Sequence, residues 1–402
     1  MNNRLIARRM LRVKPSPTAV ISDQVRELEQ QGKNVINLGE GELDFATPDA
    51  ISYAGIEAIV NHQTKYTAVA GTAELKEAIA QKFAQDNQLC YHKDEIIAGS
   101  GAKQLIFNAL MATVEDEDEV IIPAPYWVSY PDMVRLADGE PVIVPCSEQS
   151  GWKLTSEQLQ SALTDKTRWL ILNSPNNPTG AIYSASELKA LAEVLRDYPN
   201  VLVMSDDIYE PLRYRGIGYQ SFAQAAPELA DRTLTVNGVS KSHAMTGWRL
   251  GYAAGPAWLI SLMQILQSQS TSNPSTISQA AAVCALTQNE QFLDGWRDKL
   301  AKRQDKVLQT IASIDGLSAD APDGAFYVFA NCQGLIGKKT ADGKILNDDV
   351  DVAAWILSQA HVALLQGSAF GMPGYLRIAY AVDDALLESA CERLSNACQQ
   401  LA

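Results

Sequence analysis

The stretch TRWLILNSPNNPTGAIYSASELKALAEVLRDYPNVLVMSD (167–206) contains one full repeat of the pattern that decides the fold. An apolar run at 167–174 is followed by a loop rich in Pro and Asn, an amphipathic segment and a second apolar run at 200–206. Ser184 opens the amphipathic segment with Glu187 three residues on, which is typical of a capping box at a helix start. Short, nearly continuous apolar runs are typical of strands buried on both faces. The stretch therefore predicts a strand, a crossover helix and a second strand.

The same pattern continues on both sides of this stretch. Comparable apolar runs are EVIIPAP (119–125), RTLTVNG (232–238) and RLGYAAG (249–255). Strands that alternate with helices predict a largely parallel sheet with right-handed crossovers. Beyond residue 300 the order becomes helix, strand, helix, strand and helix, with the strands predicted at 325–332 and 375–381.

The predicted fold class is α/β, with a large domain built on a mostly parallel central sheet flanked by helices. A smaller α+β domain is expected to assemble from both termini. Residues 1–46 would form an N-terminal arm and part of the small domain, 47–300 the large domain, and 301–402 the small C-terminal domain. A chain of 402 residues is long enough for this division.

Composition limits the partners that the protein is expected to bind. Lysine and arginine number 33 against 47 acidic residues, and the net charge of −14 disfavours nucleic acid or an anionic membrane as a partner. The six cysteines are scattered without a CxxC pair, which favours reduced thiols over a metal site or a disulfide framework. No apolar run approaches the length of a membrane span. The sequence predicts a cytoplasmic protein whose ligands are small molecules.

Polar side chains follow the predicted strands at the points where the strands end. These residues are Trp127, Asn177, Asp206, Tyr209 and Lys241. Each has an ordinary explanation alone, because lysines are mostly exposed, NNPTG is a turn sequence and an Asp pair often caps a helix. In open α/β sheets, however, ligands bind beyond the carboxyl ends of the strands. Their occurrence at one edge of the sheet therefore predicts a binding site.

This set of side chains suits pyridoxal 5′-phosphate (PLP). Lys241 would form a Schiff base with the aldehyde, and Asp206 would hold the pyridine nitrogen protonated so that the ring accepts electrons. The indole of Trp127 would cover the face of the ring. Asn177 and Tyr209 would form hydrogen bonds with its phenolic oxygen and stabilise the phenolate.

A phosphate site is predicted near the same edge. The segment AGSGAKQLIFNAL (98–110) reads as a small-residue turn that opens a helix, where backbone N–H groups bind anions. Ser240 and Arg249 would add one neutral and one charge-assisted hydrogen bond. The eight-residue spacing from Lys241 to Arg249 would then link the aldehyde end of the cofactor to its phosphate end.

Several segments resemble the signature segments of class I aminotransferases of PLP fold type I. They are NSPNNPTG (173–180), SDDIYE (205–210), SKSHAMTGWRLGY (240–252) and YLRIAYA (375–381). Three others resemble the aspartate/prephenate aminotransferase branch: GEGELDFATP (39–48), KYTAVAGTAELKEAI (65–79) and PAPYWVSYP (123–131). The resemblance runs from about residue 8 to the C-terminus.

The resemblance assigns further residues to the cofactor. Gly101, Ala102 and Lys103 are implied in binding the phosphate, together with the Ser240 and Arg249 already singled out. Tyr66 resembles the tyrosine that reaches the phosphate of the neighbouring subunit. The match at Tyr66 implies a homodimer with shared active sites. No metal site is expected.

The resemblance also implies a substrate site. Arg377 resembles the arginine that grips the α-carboxylate of the amino acid in a bidentate fork. Gly41 resembles a glycine whose backbone approaches the substrate, beside Trp127 and Asn177. Lys14 and Lys103 match lysines associated with dicarboxylate or prephenate recognition.

The expected function is amino-group transfer between an L-amino acid, aspartate or glutamate, and a 2-oxo acid such as 2-oxoglutarate or oxaloacetate, with prephenate as a further candidate acceptor. Leu43 stands where the branch usually has proline, and with the segment 270–279 and His243 it leaves the substrate range open. The alternatives are an aminotransferase that prefers aromatic, methionine or glutamine donors, and a PLP lyase of the same fold. A non-enzymatic regulator is a third.

Overall fold

The computed structural model describes residues 5–288 and 291–401. Its strands are β1 (Ile36–Asn37), β2 (Ile96–Gly99), β3 (Glu119–Ala124), β4 (Glu140–Pro145), β5 (Thr167–Asn173), β6 (Leu202–Asp206), β7 (Thr233–Gly238), β8 (Gly251–Ala254), β9 (Tyr327–Asn331), β10 (Val362–Ala363), β11 (Leu365–Gln366) and β12 (Tyr375–Ala379). Its α-helices are α1 (Pro17–Gln30), α2 (Asp49–Val60), α3 (Ala73–Asn87), α4 (Ala102–Thr113), α5 (Tyr130–Leu136), α6 (Ser156–Ala162), α7 (Ala185–Leu195), α8 (Phe222–Ala225), α9 (Val239–Ser242), α10 (Ala257–Ser268), α11 (Thr276–Thr287), α12 (Phe292–Ala312), α13 (Asp349–Ala360) and α14 (Asp384–Cys398). No helix within these ranges is both long and apolar enough to cross a membrane.

The central sheet has seven strands in the described part of the chain, in the order β2-β8-β7-β6-β5-β3-β4. The run from β7 to β4 is parallel throughout, and β8 is antiparallel to both of its neighbours. The predicted α/β class with a mostly parallel sheet is confirmed. Because the parallel strands point the same way, their carboxyl ends meet at one edge of the sheet.

The unit at 167–206 forms as its sequence predicts. Ser184 caps α7, since its side chain accepts a hydrogen bond from the Glu187 N–H while the Glu187 carboxylate accepts one from the Ser184 N–H at 2.7 Å. The strands β5 and β6 are almost wholly buried, in keeping with their apolar composition. They end in register, with Asn173 opposite Asp206. Local capping and apolar burial thus bring two polar side chains to the same point of the sheet edge.

Two outer strands lie outside the sequence prediction. The strand β4 contains Pro141 and Pro145, and a proline cannot donate to a ladder of hydrogen bonds. It is nevertheless paired along its full length with β3, because it lies at the edge of the sheet. The strand β2 is only four residues long and pairs with β8 at the opposite edge.

A smaller three-stranded sheet, β11-β12-β9, is antiparallel and packs among the C-terminal helices. The strand β1 near the N-terminus pairs in parallel with β10, so both ends of the chain contribute to this part, as predicted. The helix α12 continues through the predicted boundary at residue 300. The domain limits stay a prediction, and residues 1–4, 289–290 and 402 lie outside the described residues.

Candidate active site

A cavity of about 470 Å³ lies at the edge where the parallel strands end. Asn173 is the last residue of β5 and Asp206 the last of β6, while Trp127 and Lys241 follow β3 and β7. The predicted site residues that line this cavity are Gly41, Ala102, Lys103, Trp127, Asn177, Asp206, Tyr209, Ser240, Lys241, Arg249 and Arg377. The fold therefore brings together residues that are far apart in the chain.

The amine of Lys241 is half-buried in the wall of this cavity and donates a hydrogen bond to the carbonyl oxygen of Gly41. Burial lowers the pKa of Lys241 to about 8, and the nearby carboxylate of Glu42 opposes that shift. The positive charges of Arg377 and Arg249 lower the pKa further. An appreciable fraction of this amine is therefore neutral near neutral pH, as a nucleophile or a base must be.

The carboxylate of Asp206 is buried, with 4% of the residue exposed. Its Oδ2 accepts a hydrogen bond of 2.5 Å from the Tyr130 hydroxyl, and its Oδ1 accepts a long one of 3.4 Å from the Ile208 N–H. Burial raises the pKa of Asp206 to about 6, and these two hydrogen bonds work against the increase. Within the described ranges no cationic side chain is paired with Asp206. A cationic ring nitrogen would supply the missing partner.

A chain of hydrogen bonds crosses the floor of the cavity. The hydroxyls of Tyr209 and Tyr327 are 2.8 Å apart, and Asn177 Nδ2 donates to the Tyr209 hydroxyl at 3.4 Å. Arg377 Nη1 donates to Asn177 Oδ1 at 3.0 Å, and its Nη2 donates to the carbonyl oxygen of Gly39 at 2.5 Å. These hydrogen bonds fix the orientation of the Asn177 side chain. The backbone N–H of Asn177 donates separately to Oδ1 of Asn173, the last residue of β5.

Arg377 is buried and forms no ion pair with a described carboxylate. It is 1% exposed, and its guanidinium carbon lies 4.5 Å from the ring centroid of Tyr327 and 5.1 Å from that of Phe370. Its Nε has no hydrogen-bond partner, and no carboxylate of the described chain pairs with it. Isolated buried charges are costly, so this guanidinium is suited to receive an anionic group from a ligand.

The start of α4 and the guanidinium of Arg249 form a close contact. Gly101 has φ +93°, and a Cβ built on it would lie 2.5 Å from Arg249 Nη2. Gly101 also provides no side-chain cap to α4, so the first amides of the helix are available to an anion. Ser240 and Arg249 line the same end of the cavity as Ala102. This arrangement suits a phosphate group.

Three predicted residues lie outside the cavity lining. Gly101 directly precedes the lining residue Ala102 at the start of α4. Lys14 is exposed in an adjoining cleft of about 510 Å³, which shares Ser16, Lys103 and Arg249 with the cavity wall. Tyr66 is 90% exposed and lies in a separate cleft. Lys103 borders both the cavity and the cleft that contains Lys14, and its Nζ lies 4.8 Å from the ring centroid of Trp127.

Sequence reasoning missed several residues of this site. Tyr130 and Tyr327 contact predicted residues through hydroxyl groups, but each stands in an apolar run where an aromatic ring is normally read as packing. Ser16 and Thr18 line the cavity from the start of α1. The sequence signal for both residues is their position beside Lys14, within the segment VKPSPT (13–18).

A buried polar network lies behind the turn that follows β6. Lys82 Nζ is 2.7 Å from Glu210 Oε2 and 2.8 Å from Asn87 Oδ1. Glu210 also accepts hydrogen bonds from Asn87 at 2.8 Å and from Asn237 at 2.9 Å. The network connects α3 to the turn that follows Asp206 and to the end of β7.

Replacement of Lys82 by methionine should destabilise the protein strongly. The change leaves Glu210 as an uncompensated buried charge, which costs about 3–5 kcal/mol in comparable cases. Urea unfolding of the variant at a matched protein concentration measures the loss. Lys93→Met is the control, because Lys93 pairs with Glu77 at the surface, where an ion pair contributes about 1 kcal/mol or less. Equal losses for both variants would contradict the prediction.

At the edge of an open α/β sheet the cavity holds a buried arginine that pairs with no described carboxylate, a lysine with a lowered pKa and a helix start beside a second arginine, and these groups suit an α-amino acid and a further anion. The chain belongs to the family described as aminotransferase class I and II, whose profile matches residues 33–394. The enzyme is an aminotransferase, as the sequence predicts.

Relatives with known names agree with the family. An aspartate/prephenate aminotransferase of Cereibacter sphaeroides is 49% identical over 393 residues, which cover 98% of each chain. The aspartate aminotransferase structure from Rhizobium meliloti has a TM-score of 0.96 at 48% identity and covers 99% of both chains. The aspartate aminotransferase structure from Thermus thermophilus with maleate has a TM-score of 0.91 at 39% identity, covering 98% of this chain and 99% of the other. The resemblance seen in the sequence is thereby confirmed.

Proposed function

We propose that this enzyme is a PLP-dependent aminotransferase that takes aspartate or glutamate as donor and 2-oxoglutarate or oxaloacetate as acceptor, with prephenate as a further candidate acceptor. The observation that carries the proposal is the cavity in which Lys241 and Arg377 both present nitrogen atoms that form no ion pair with a carboxylate of residues 5–288 or 291–401. An amine nucleophile and a carboxylate-binding fork at one cavity are what an α-amino acid requires.

The residues present fit PLP. When bound, PLP supplies an aldehyde that an amine can attack and a ring that accepts electrons. Lys241 would hold the aldehyde carbon covalently and Asp206 would pair with the ring nitrogen. The indole of Trp127 would cover the ring, while Asn177 and Tyr209 would bind its phenolic oxygen. The phosphate would be held by Ser240, Arg249 and the start of α4 from Gly101 to Lys103.

Lys241 would also move the proton of the reaction. The amino group of the substrate would first displace Lys241 from the aldehyde carbon and so free its amine. With a pKa of about 8, the freed amine has a neutral fraction that could take the α-proton of the bound amino acid and return it elsewhere on the same face. Arg377 would hold the α-carboxylate and so orient the α-hydrogen toward Lys241. The Gly41 carbonyl, which accepts from Lys241, would help to position the amine between these steps.

Recognition of an acidic side chain would depend on cations at the cavity mouth. Lys103 lies beside Arg249 at the cavity mouth, where partial burial of its amine together with the positive charge of Arg249 lowers the pKa of Lys103. Lys14 lies in the cleft that adjoins it. Two lysines near the entrance favour a substrate with a second carboxylate, in line with the maleate named for the Thermus thermophilus structure.

The sites would be shared in a homodimer. Tyr66 is almost fully exposed on this chain, as a residue that reaches into a neighbouring subunit would be. Apolar side chains are also exposed on α2, including Tyr53 and Val60, and on α10, including Trp258 and Ile265. Sedimentation at micromolar concentration should give twice the 43.7 kDa chain mass, and a monomer would refute the shared site. The cytoplasmic location stays a prediction.

One assay tests the proposed reaction. The purified protein with PLP is given aspartate, glutamate, phenylalanine, methionine or glutamine, each with 2-oxoglutarate, oxaloacetate or prephenate and each also without an oxo acid. Aspartate with 2-oxoglutarate should give the highest kcat/KM. Highest activity with phenylalanine would favour the aromatic alternative. Ammonia or pyruvate released without any oxo acid would instead identify a lyase.

A further inference from the structure

A buried phenol stands directly behind the carboxylate that faces the cavity. Tyr130 is 2% exposed and its hydroxyl donates to Asp206 Oδ2 at 2.5 Å. Tyr130 is not among the described residues that line the cavity, whereas Asp206 is. The hydrogen bond of this hydroxyl therefore reaches the cavity through Asp206.

The position of the phenol is fixed by its own segment. The Tyr130 N–H donates to the Trp127 carbonyl at 3.0 Å, and the two rings meet edge to face with centroids 5.3 Å apart. The indole that lines the cavity and the phenol behind it therefore belong to one tight turn at the start of α5. The backbone hydrogen bond and the ring contact restrict the Tyr130 side chain, so its hydroxyl stays directed at Asp206.

The titratable groups around Asp206 keep this hydrogen bond in one direction. Burial and the charge of Asp206 hold the pKa of Tyr130 well above its usual range, so the phenol keeps its proton. The other ionisable neighbours are Asp207 and Tyr209 on the turn after β6, and Lys241 across the cavity. Tyr209 keeps its proton as well, because burial and the Tyr327 hydroxyl raise its pKa. Above its pKa of about 6, Asp206 is ionised and can only accept this hydrogen bond.

We propose that Tyr130 is a positioning residue for the ring nitrogen of the cofactor, acting through Asp206. Its hydroxyl occupies Oδ2 and favours the ionised carboxylate, so that the other oxygen, which has only the long contact to the Ile208 N–H, stays free to accept from the ring nitrogen. The inference rests on the proposed function, because it requires PLP as the ligand. It adds a residue to that site to which the sequence analysis gave no role, although Tyr130 lies within the segment PAPYWVSYP (123–131).

The test uses the full-length protein freed of cofactor and measures binding, not turnover. Dissociation constants are measured by quenching of tryptophan fluorescence for two probes, PLP and its analogue in which a carbon replaces the ring nitrogen. In the wild type PLP should bind more tightly than the analogue. In Tyr130→Phe that preference should shrink about tenfold, because one hydrogen bond to a charged group is lost. When the pH is lowered, PLP affinity should begin to fall at a higher pH in Tyr130→Phe than in the wild type. The reason is that the Asp206 carboxyl has lost a donor that kept it ionised.

Tyr126→Phe is the matched control, because it removes a hydroxyl from the same segment without touching Asp206 and should leave the preference unchanged. If Tyr130→Phe weakens both probes equally, Tyr130 is only structural and the inference fails. If that variant does not fold, replacement of Tyr130 by 3-fluorotyrosine, a stronger donor of similar size, should increase the preference, and no change would overturn the inference. Failure of the wild type to bind PLP would instead refute the proposed function.

Discussion

Replacing Lys241 by alanine should reduce turnover by roughly 10⁴-fold or more, the scale seen when a nucleophile that also acts as base is removed. The amine of Lys241 can both attack an aldehyde and exchange a proton at the α-carbon. Steady-state transamination measures the loss. The visible absorbance of covalently held PLP should vanish in the same variant, even where PLP still binds through its phosphate.

Two further variants isolate the chemistry of Lys241 from its charge. Lys241→Arg keeps a cation but cannot form the covalent link, so it should be as inactive as the alanine variant. Lys306→Ala removes an exposed lysine paired with Glu388 and should retain wild-type activity. Turnover near the wild-type rate in Lys241→Ala would refute the role assigned to this residue.

The pH dependence of covalent capture provides a second measurement on the same amine. Since burial lowers the pKa of Lys241 to about 8, the reactive neutral form grows as the pH rises through that value. The rate at which apoprotein captures PLP should therefore increase up to about pH 8 and then level off. A rate that keeps rising to about pH 10, the usual range of a free lysine, would contradict the perturbed pKa.

The sequence predicts where the strands end better than it predicts which side chains contact one another inside the site. Strand ends follow from where an apolar run stops, and the cap at Ser184 depends on residues three positions apart, so both are local. The contact of Tyr130 with Asp206 joins residues 76 positions apart, and the contact of Arg377 with Asn177 joins residues 200 apart. Only the assembled fold decides which hydroxyl faces which carboxylate.

At Leu43 the sequence predicts a loosening of the backbone that packing in the fold opposes. Its replacement of a proline predicts a looser loop beside Gly41, because proline restricts its own φ and its neighbour. In the fold, the Leu43 side chain is 6% exposed and packs in the core of the smaller part of the molecule. The nearby Asp44 pairs with Arg303 at 2.7 Å. Burial and an ion pair thus supply restraint that the backbone chemistry alone does not predict.

Replacing Arg377 by lysine should lower kcat/KM for aspartate by roughly a hundredfold or more. Lysine retains the charge but not the planar fork that binds a carboxylate through two parallel hydrogen bonds. Loss of one partner from a buried charge pair costs about 2–5 kcal/mol, and a factor of ten corresponds to about 1.4 kcal/mol. Because substrate and transition state both carry the carboxylate, the loss should appear mainly in KM.

A substrate pair makes the role of Arg377 specific. β-Alanine is aspartate without its α-carboxylate, so the wild type should use it far less well than aspartate. In Arg377→Lys the preference for aspartate should shrink, while the residual rate with β-alanine stays unchanged. Arg303→Lys is the control, since Arg303 is equally buried but is satisfied by Asp44 and Asp384, and it should lower stability without altering the preference. If Arg377→Lys kept the full preference for aspartate, the α-carboxylate would have to bind elsewhere, and the buried guanidinium would serve only to hold Asn177.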